Sequence, residues 1–208
     1  MDNGVAITLF RHGVTHANLE KRYVGWSDPP ITMEAKQVLM DIANALPRFE
    51  FCMTSDLKRC TETAACLAPY VSSIESKAFR ELHFGKWEMQ TYETLCQETA
   101  YREWLDHPFE GKPPGGERFT EMEARVVAGW AVMKKQIDQG QYSENLLVTH
   151  GGVIRLLLST FTREKKRFWD WHVPHQRGIR LYWTLADWKE GDQCTSLQVV
   201  PITESENG

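Results

Sequence analysis

The sequence predicts an α/β fold, a three-layer α/β/α sandwich around a mainly parallel sheet. Three observations predict it. Short β-branched or apolar runs alternate with segments of helical periodicity, as strands joined by crossover helices do. The runs at 5–10 and 145–149 read as buried strands. Each is followed at once by a polar turn, Arg11-His12-Gly13 and His150-Gly151-Gly152.

The elements follow in order. Residues 5–10 form the first strand, and 11–30 read as a long loop with Gly25 and the turn signal Asp28-Pro29-Pro30. Thr32 is expected to cap a helix running to about residue 46, which Pro47 ends. A second strand is expected at 50–54. Ser55 or Asp56 then caps a helix through about 67, ahead of Pro69. A short third strand is placed at 73–75, and a loop begins at 81–85. Residues 91–106 read as irregularly helical, and 107–116 as a loop rich in proline and glycine. Residues 118–139 form a long helix, with Phe119, Met122, Val126, Trp130, Met133 and Ile137 at helical spacing and Gly140 as its C-cap. The strand at 145–149 turns through 150–152 into a helix at 153–161. Strands at 179–185 and 196–200 close the reading, and the tail 203–208 reads as disordered. Trp169, Trp171, Trp183 and Trp188 are expected to pack together near the C-terminus.

Composition narrows the function classes. The 208 residues suit one domain carrying a small insertion. The 24 Lys and Arg against 28 Asp and Glu give a net charge of −4, which argues against nucleic acid as a partner. Positive charge at a site must therefore be local. No apolar run approaches the roughly 20 residues of a membrane span, and no membrane association is expected. The N-terminus lacks the basic region and cleavage site of a signal peptide. Five cysteines without a CxxC read as reduced thiols in a cytoplasmic protein.

In a parallel sheet covered by helices, ligands bind beyond the C-terminal strand ends. That rule places Arg11, His12 and His150 on one edge. Four stretches then matter together: Arg11-His12-Gly13 with Thr15 and Asn18; Ser55-Asp56-Leu57-Lys58-Arg59-Cys60; Glu81 with Phe84-Gly85-Lys86-Trp87-Glu88; and Thr149-His150-Gly151-Gly152. Each alone has a plain structural reading. Arg59 alone reads as a helix-surface charge, Glu81 as a solvated loop acid, His150 as a helix-start residue and Thr15 as a loop-bonding residue. In this order, from about residue 5 to residue 160, the stretches resemble the histidine phosphatase superfamily, the phosphoglycerate-mutase-like enzymes.

The resemblance implies that His12 is a nucleophile that becomes a phosphohistidine. It implies that His150 contacts the transferring phosphoryl group and that Glu81 is the general acid and base. The residue types suit the task. Arg11 and Arg59 offer planar charged forks to a phosphate dianion, Asn18 a neutral donor, and Gly151 a backbone N–H at a helix start. Gly13 is expected to let the backbone approach the ligand closely. A carboxyl beside a phosphate dianion favours its protonated form, as a general acid needs. Arginines and histidines supply the charge that a metal supplies elsewhere, so no metal or other cofactor is expected.

The expected partner is a small-molecule phosphomonoester, and the chain a monomer or homodimer. The segment at about 86–117 is similar to the cap-like insertion that lies over the site in this family. It offers Tyr92, Tyr101 and Trp104 for packing or for stacking on substrate, with Lys112 and Arg118 as rim charges. His172 and His175, in WDWHVPHQ, have no acids or cysteines at metal-ligand spacing and read as structural. His16, His83 and His107 read as surface or loop residues, His83 being near enough to Glu81 to touch substrate.

The segment between the acid and the second histidine is short, which favours hydrolysis over a mutase. The stretches at 25–32, 81–92 and 114–117 resemble those of alpha-ribazole phosphatases, which remove the 5′-phosphate of alpha-ribazole phosphate during assembly of the cobalamin nucleotide loop. The alternatives are a broad-specificity sugar-phosphate phosphatase, a phosphoglycerate mutase-like enzyme and, lowest, an inactive binding module.

Overall fold

The period of a β-strand explains the layers. The structure is a computed structural model describing residues 4–201, so the tail at 203–208 lies outside it. Six strands form one sheet: β1 (Gly4–Arg11), β2 (Phe51–Ser55), β3 (Ser73–Ser76), β4 (Glu144–Thr149), β5 (Gly178–Thr184) and β6 (Ser196–Val200), in the order β3-β2-β4-β1-β5-β6. β3, β2, β4 and β1 run parallel, whereas β5 is antiparallel to β1 and β6 to β5. The mainly parallel sheet is as predicted.

Alternate side chains leave the sheet on opposite faces. Phe10, Cys52, Leu146 and Val148 pack with α2 (Met33–Ala43) and α3 (Lys58–Leu67). Ile7, Leu9, Met53 and Leu147 pack with α6 (Phe119–Gly140) and α7 (Gly151–Phe161). Leu9, Leu146 and Leu147 are wholly buried, each worth roughly 1.5–3 kcal/mol of transfer free energy. Two short helices, α4 (Tyr92–Leu95) and α5 (Thr99–Asp106), precede α6, and their Leu95, Tyr101 and Trp104 join the α6 side of the core.

Local chemistry moves several boundaries. The expected loop at 11–30 contains a helical turn, α1 (His16–Leu19), because Thr15 and Asn18 cap it reciprocally. Thr32 caps α2 as expected, but α2 stops at Ala43. Neither Ser55 nor Asp56 caps α3. Ser55 ends β2, Asp56 pairs with Arg80, and Leu57 is the cap position. The left-handed C-cap of α6 is Gln141, at φ 54°, not Gly140. His150 is itself the N-cap of α7, which therefore starts two residues earlier than expected. A helix after β5, α8 (Leu185–Glu190), is capped by Thr184 and was not expected. Trp171, Trp183 and Trp188 are buried as expected, but Trp169 is 57% exposed.

All five cysteines are free. Among the described residues, no helix is long and apolar enough to cross a membrane.

Candidate functional site

The strand register builds the site. Arg11 stands beside Thr149, and the His12 N–H donates to the Thr149 carbonyl at 3.0 Å. Thr54 pairs with Val148, so Ser55 ends β2 beside the turn into α7. Three parallel strand ends thus present His12, Ser55 and His150 together.

His12 and His150 are 4% and 0% exposed, with ring centroids 5.2 Å apart. His12 Nδ1 lies 2.8 Å from the Gly13 carbonyl. A carbonyl only accepts, so Nδ1 carries the proton and Nε2 keeps its lone pair. Burial pushes His12 well below the ordinary imidazole range, helped by Arg59, His175 and Arg11. Burial does the same to His150, with Arg59 and His12 adding to it. His150 Nε2 is 2.9 Å from Ser55 Oγ, and Cys60 Sγ lies 3.5 Å from the same nitrogen.

The cations converge from three elements. Arg11 donates to the Val173 carbonyl at 2.7 Å, and burial lowers its pKa while Glu81 opposes the shift. Arg59 is wholly buried and donates to the carbonyls of Ser27 and Gly25 at 2.7 and 2.6 Å. Both keep a buried Nε without a protein partner. Arg155, four residues beyond Gly151 on α7, donates to the Trp171 carbonyl and also feels the charge of Glu81.

Glu81 is fixed from two sides. Its Oε2 accepts the Gly152 N–H and its Oε1 the Leu82 N–H, each at 2.9 Å. Its backbone carbonyl accepts Arg125 at 2.9 Å and the Trp26 indole N–H at 2.9 Å. Arg125 also holds the carbonyls of Ala78 and Arg80 and pairs with Glu117. The loop at 24–27 is clamped similarly. Glu88 accepts the N–H groups of Gly25, Trp26, Ser27 and Phe84 at 2.8–3.1 Å, while Arg59 takes carbonyls of the same loop.

A cavity of about 430 Å³ opens beside Glu81, Gly152 and Arg155. The rest of its wall is largely aromatic, including Tyr23, Phe84, Trp104, Phe109 and Trp169. Phe109 packs edge-on to Phe119 and Phe168, joining the loop before α6 to the segment after α7.

The predicted residues fall out unevenly. Arg11, His12, Arg59, Glu81, His150 and Gly151 lie in one region, with Gly151 closely packed on the Arg11 guanidinium. Asn18 spends its carbonyl oxygen on Thr15 as a helix cap, which leaves its amide N–H groups uncommitted as donors. Thr15 is the N-cap of α1, its hydroxyl accepting the Asn18 N–H at 3.2 Å. The bare Cα of Gly13 faces Leu39, Ile31 and Ala35, so its smallness serves packing against α2 rather than ligand approach.

Of the three aromatics read as packing or stacking residues, Trp104 lines the cavity. Tyr101 is buried with its hydroxyl 2.6 Å from that of Tyr23, and Tyr92 is 56% exposed outside the lining. Lys112 pairs with Glu121, and Arg118 donates to the Glu110 carbonyl. Neither lines the cavity. His83 stacks on Trp26 at 4.7 Å.

Sequence reasoning missed Arg155 and Arg125, named Glu88 only as part of its stretch, and read His175 as structural. The i, i+4 spacing from Gly151 could have found Arg155. His175 carried no local signal, since its partner His12 is 163 residues away. Among the described residues, no cluster of three or more His, Cys, Asp or Glu is arranged to hold a metal ion.

Comparison with known proteins agrees with this geometry. A family model described as the histidine phosphatase superfamily (branch 1) matches residues 7–190. A 2,3-bisphosphoglycerate-dependent phosphoglycerate mutase 2 of Gloeobacter violaceus is 30% identical over 164 residues, 73% of each chain. A probable phosphoglycerate mutase GpmB of Escherichia coli is 32% identical over 160 residues, covering 74% of this chain and 73% of that one. A crystal structure of the alpha-ribazole phosphatase from Shigella flexneri superposes with a TM-score of 0.77 at 25% identity, covering 85% of this chain and 90% of that one. A putative alpha-ribazole-5′-P phosphatase from Escherichia coli shares the fold, with a TM-score of 0.81 at 24% identity over 94% of this chain and 95% of that one.

Proposed function

This chain belongs to the histidine phosphatase superfamily, which includes phosphatases and mutases, and we propose that it is a metal-independent phosphomonoester hydrolase working through a phosphohistidine on His12. The observation that carries the reading is the state of His12. It is buried and neutral, with Nδ1–H committed to Gly13 and Nε2 free. A neutral imidazole nitrogen is a competent nucleophile.

The phosphoryl group lies among Arg11, Arg59, His150 and the Gly151 backbone N–H that opens α7. The buried Nε atoms of both arginines are donors that an anion satisfies. Nε2 of His12 forms a bond to phosphorus as the bond to the ester oxygen breaks. Glu81, protonated, gives its proton to the departing alkoxide. Water then attacks phosphorus and passes a proton to the Glu81 carboxylate. The P–N bond breaks, inorganic phosphate leaves, and His12 is neutral again. Guanidinium charge stabilises the transferring group, the task metal ions perform elsewhere.

The leaving group we assign is that of alpha-ribazole 5′-phosphate, hydrolysed during cobalamin nucleotide-loop assembly. The aromatic wall beside Glu81 supports a substrate with a flat apolar ring. Arg155 at the same wall supports a second reading, a phosphoglycerate substrate whose carboxylate it would pair.

The test is kcat/KM for phosphate release without added metal, from alpha-ribazole 5′-phosphate and from sugar and glycerate phosphates. A strong preference for the ribazole ester supports the first reading. A flat profile leaves a general phosphatase. Interconversion of phosphoglycerates without phosphate release rejects hydrolysis.

A further inference from the structure

The segment after α7 lies along the site in an alternating pattern. The Trp171 carbonyl accepts Arg155 at 3.2 Å and the Val173 carbonyl accepts Arg11 at 2.7 Å. His175 Nδ1 lies 2.9 Å from the His12 carbonyl. Every second residue of this strap thus holds one member of the site, as an extended chain presents groups at period two.

His175 is the most intimate of the three. Because the His12 carbonyl can only accept, His175 Nδ1 is the donor, which fixes its tautomer. Its ring meets the His12 ring edge-on, with centroids 5.0 Å apart and planes at 68°. His150 approaches the His12 ring as well, at 5.2 Å. The His12 imidazole is therefore flanked by two rings, while its own Nδ1–H is tied to Gly13.

We propose that His175 is a positioning residue for His12: it anchors the His12 backbone through Nδ1–H and fixes the His12 ring by edge-on contact. The proposal rests on the reading of His12 as nucleophile. The charged and titratable groups around His175 are Arg11, Arg59 and His12, and burial among them keeps its ring neutral, at a pKa of about 4. Removing the ring also admits water to His12, so the suppressed basicity of His12 relaxes upward.

The experiment compares His175→Ala, His175→Asn and His175→Phe with the parent and with His12→Ala. Each is measured for kcat and KM with p-nitrophenyl phosphate from pH 5 to 8. The His12 pKa is followed by imidazole ¹⁵N NMR. In His175→Ala, kcat should fall about 30-fold with KM changing less than threefold, a loss of about 2 kcal/mol in transition-state stabilisation. The His12 pKa should rise by about one unit or more. Asn restores a donor toward the His12 carbonyl and should recover at least a third of the parent kcat, whereas Phe restores only bulk and should not.

A His175→Ala kcat within threefold of the parent with an unmoved His12 pKa overturns the proposal. So does Asn performing no better than Phe, a comparison that holds even if Ala fails to fold. Activity surviving in His12→Ala instead overturns the nucleophile, and the NMR titration still reads whether His175 controls His12.

Discussion

The Gly152 N–H donates to Glu81 Oε2 at 2.9 Å. A Cβ on Gly152 would collide with Oε1 of the same carboxylate. The second glycine of the turn into α7 is therefore a seat for Glu81, and the close approach depends on its missing side chain.

Gly152→Ala should displace Glu81 without unfolding the chain, because the obstructing atom ends a flexible side chain. A shift of about 1 Å at a reacting group costs on the order of 100-fold, so kcat for phosphate release should drop by roughly 10- to 100-fold. The melting temperature should stay near the parent's, since alanine suits a helix better than glycine. Unchanged kcat would mean that Glu81 placement does not limit turnover.

Acid should destabilise the fold through its imidazoles. His12 and His150 sit well below their ordinary value of 6.5, and His175 at about 4. Below about 6.5 the unfolded chain binds protons that the folded chain refuses, so stability falls as pH falls. Above that value the three contribute nothing to the slope. Each fully suppressed imidazole adds up to about 1.4 kcal/mol per pH unit. Urea midpoints between pH 7.5 and 5 check this, and a flat profile contradicts the assigned neutral states.

Glu88 accepts four backbone N–H groups from two loops. Glu88→Ala should release the 24–27 loop, loosening the carbonyls that hold Arg59. Hydrogen bonds to a charged group are worth about 1.5–3 kcal/mol, so a loss of about 2–4 kcal/mol in unfolding free energy is expected. Denaturant titration measures it, and a change under 1 kcal/mol would show the clasp to be incidental.

Trp169 is 57% exposed yet lines the aromatic cavity. Trp169→Ala should lower kcat/KM for alpha-ribazole 5′-phosphate by about 3- to 10-fold, the scale of one aromatic contact. Turnover of 3-phosphoglycerate should change less than twofold. Equal losses on both would remove the stacking role.

The layers were legible because burial on both sheet faces writes itself into strands such as 5–10 and 145–149. The core of the site was legible too, since Arg11, His12 and His150 follow strand ends directly. Its supports were not. His175 meets His12 across 163 residues, and Arg125 reaches Glu81 across 44. Such pairings depend on tertiary geometry that no local pattern encodes. Asn18 carries a second task that the sequence reading did not anticipate, since its carbonyl oxygen caps α1 while its amide N–H groups stay open. Gly13 looked like a ligand contact, yet its small size answers to Leu39 and Ile31.

The central claim is covalent transfer through His12, and trapping the intermediate tests it most directly. The enzyme is mixed with a phosphomonoester in EDTA, quenched within a turnover in alkaline denaturant, digested and mapped by mass spectrometry. The account predicts one acid-labile, base-stable phosphoryl group on His12, absent from His12→Ala. Steady turnover in EDTA with His12 never labelled, or with His12→Ala still active within tenfold of the parent, would contradict it.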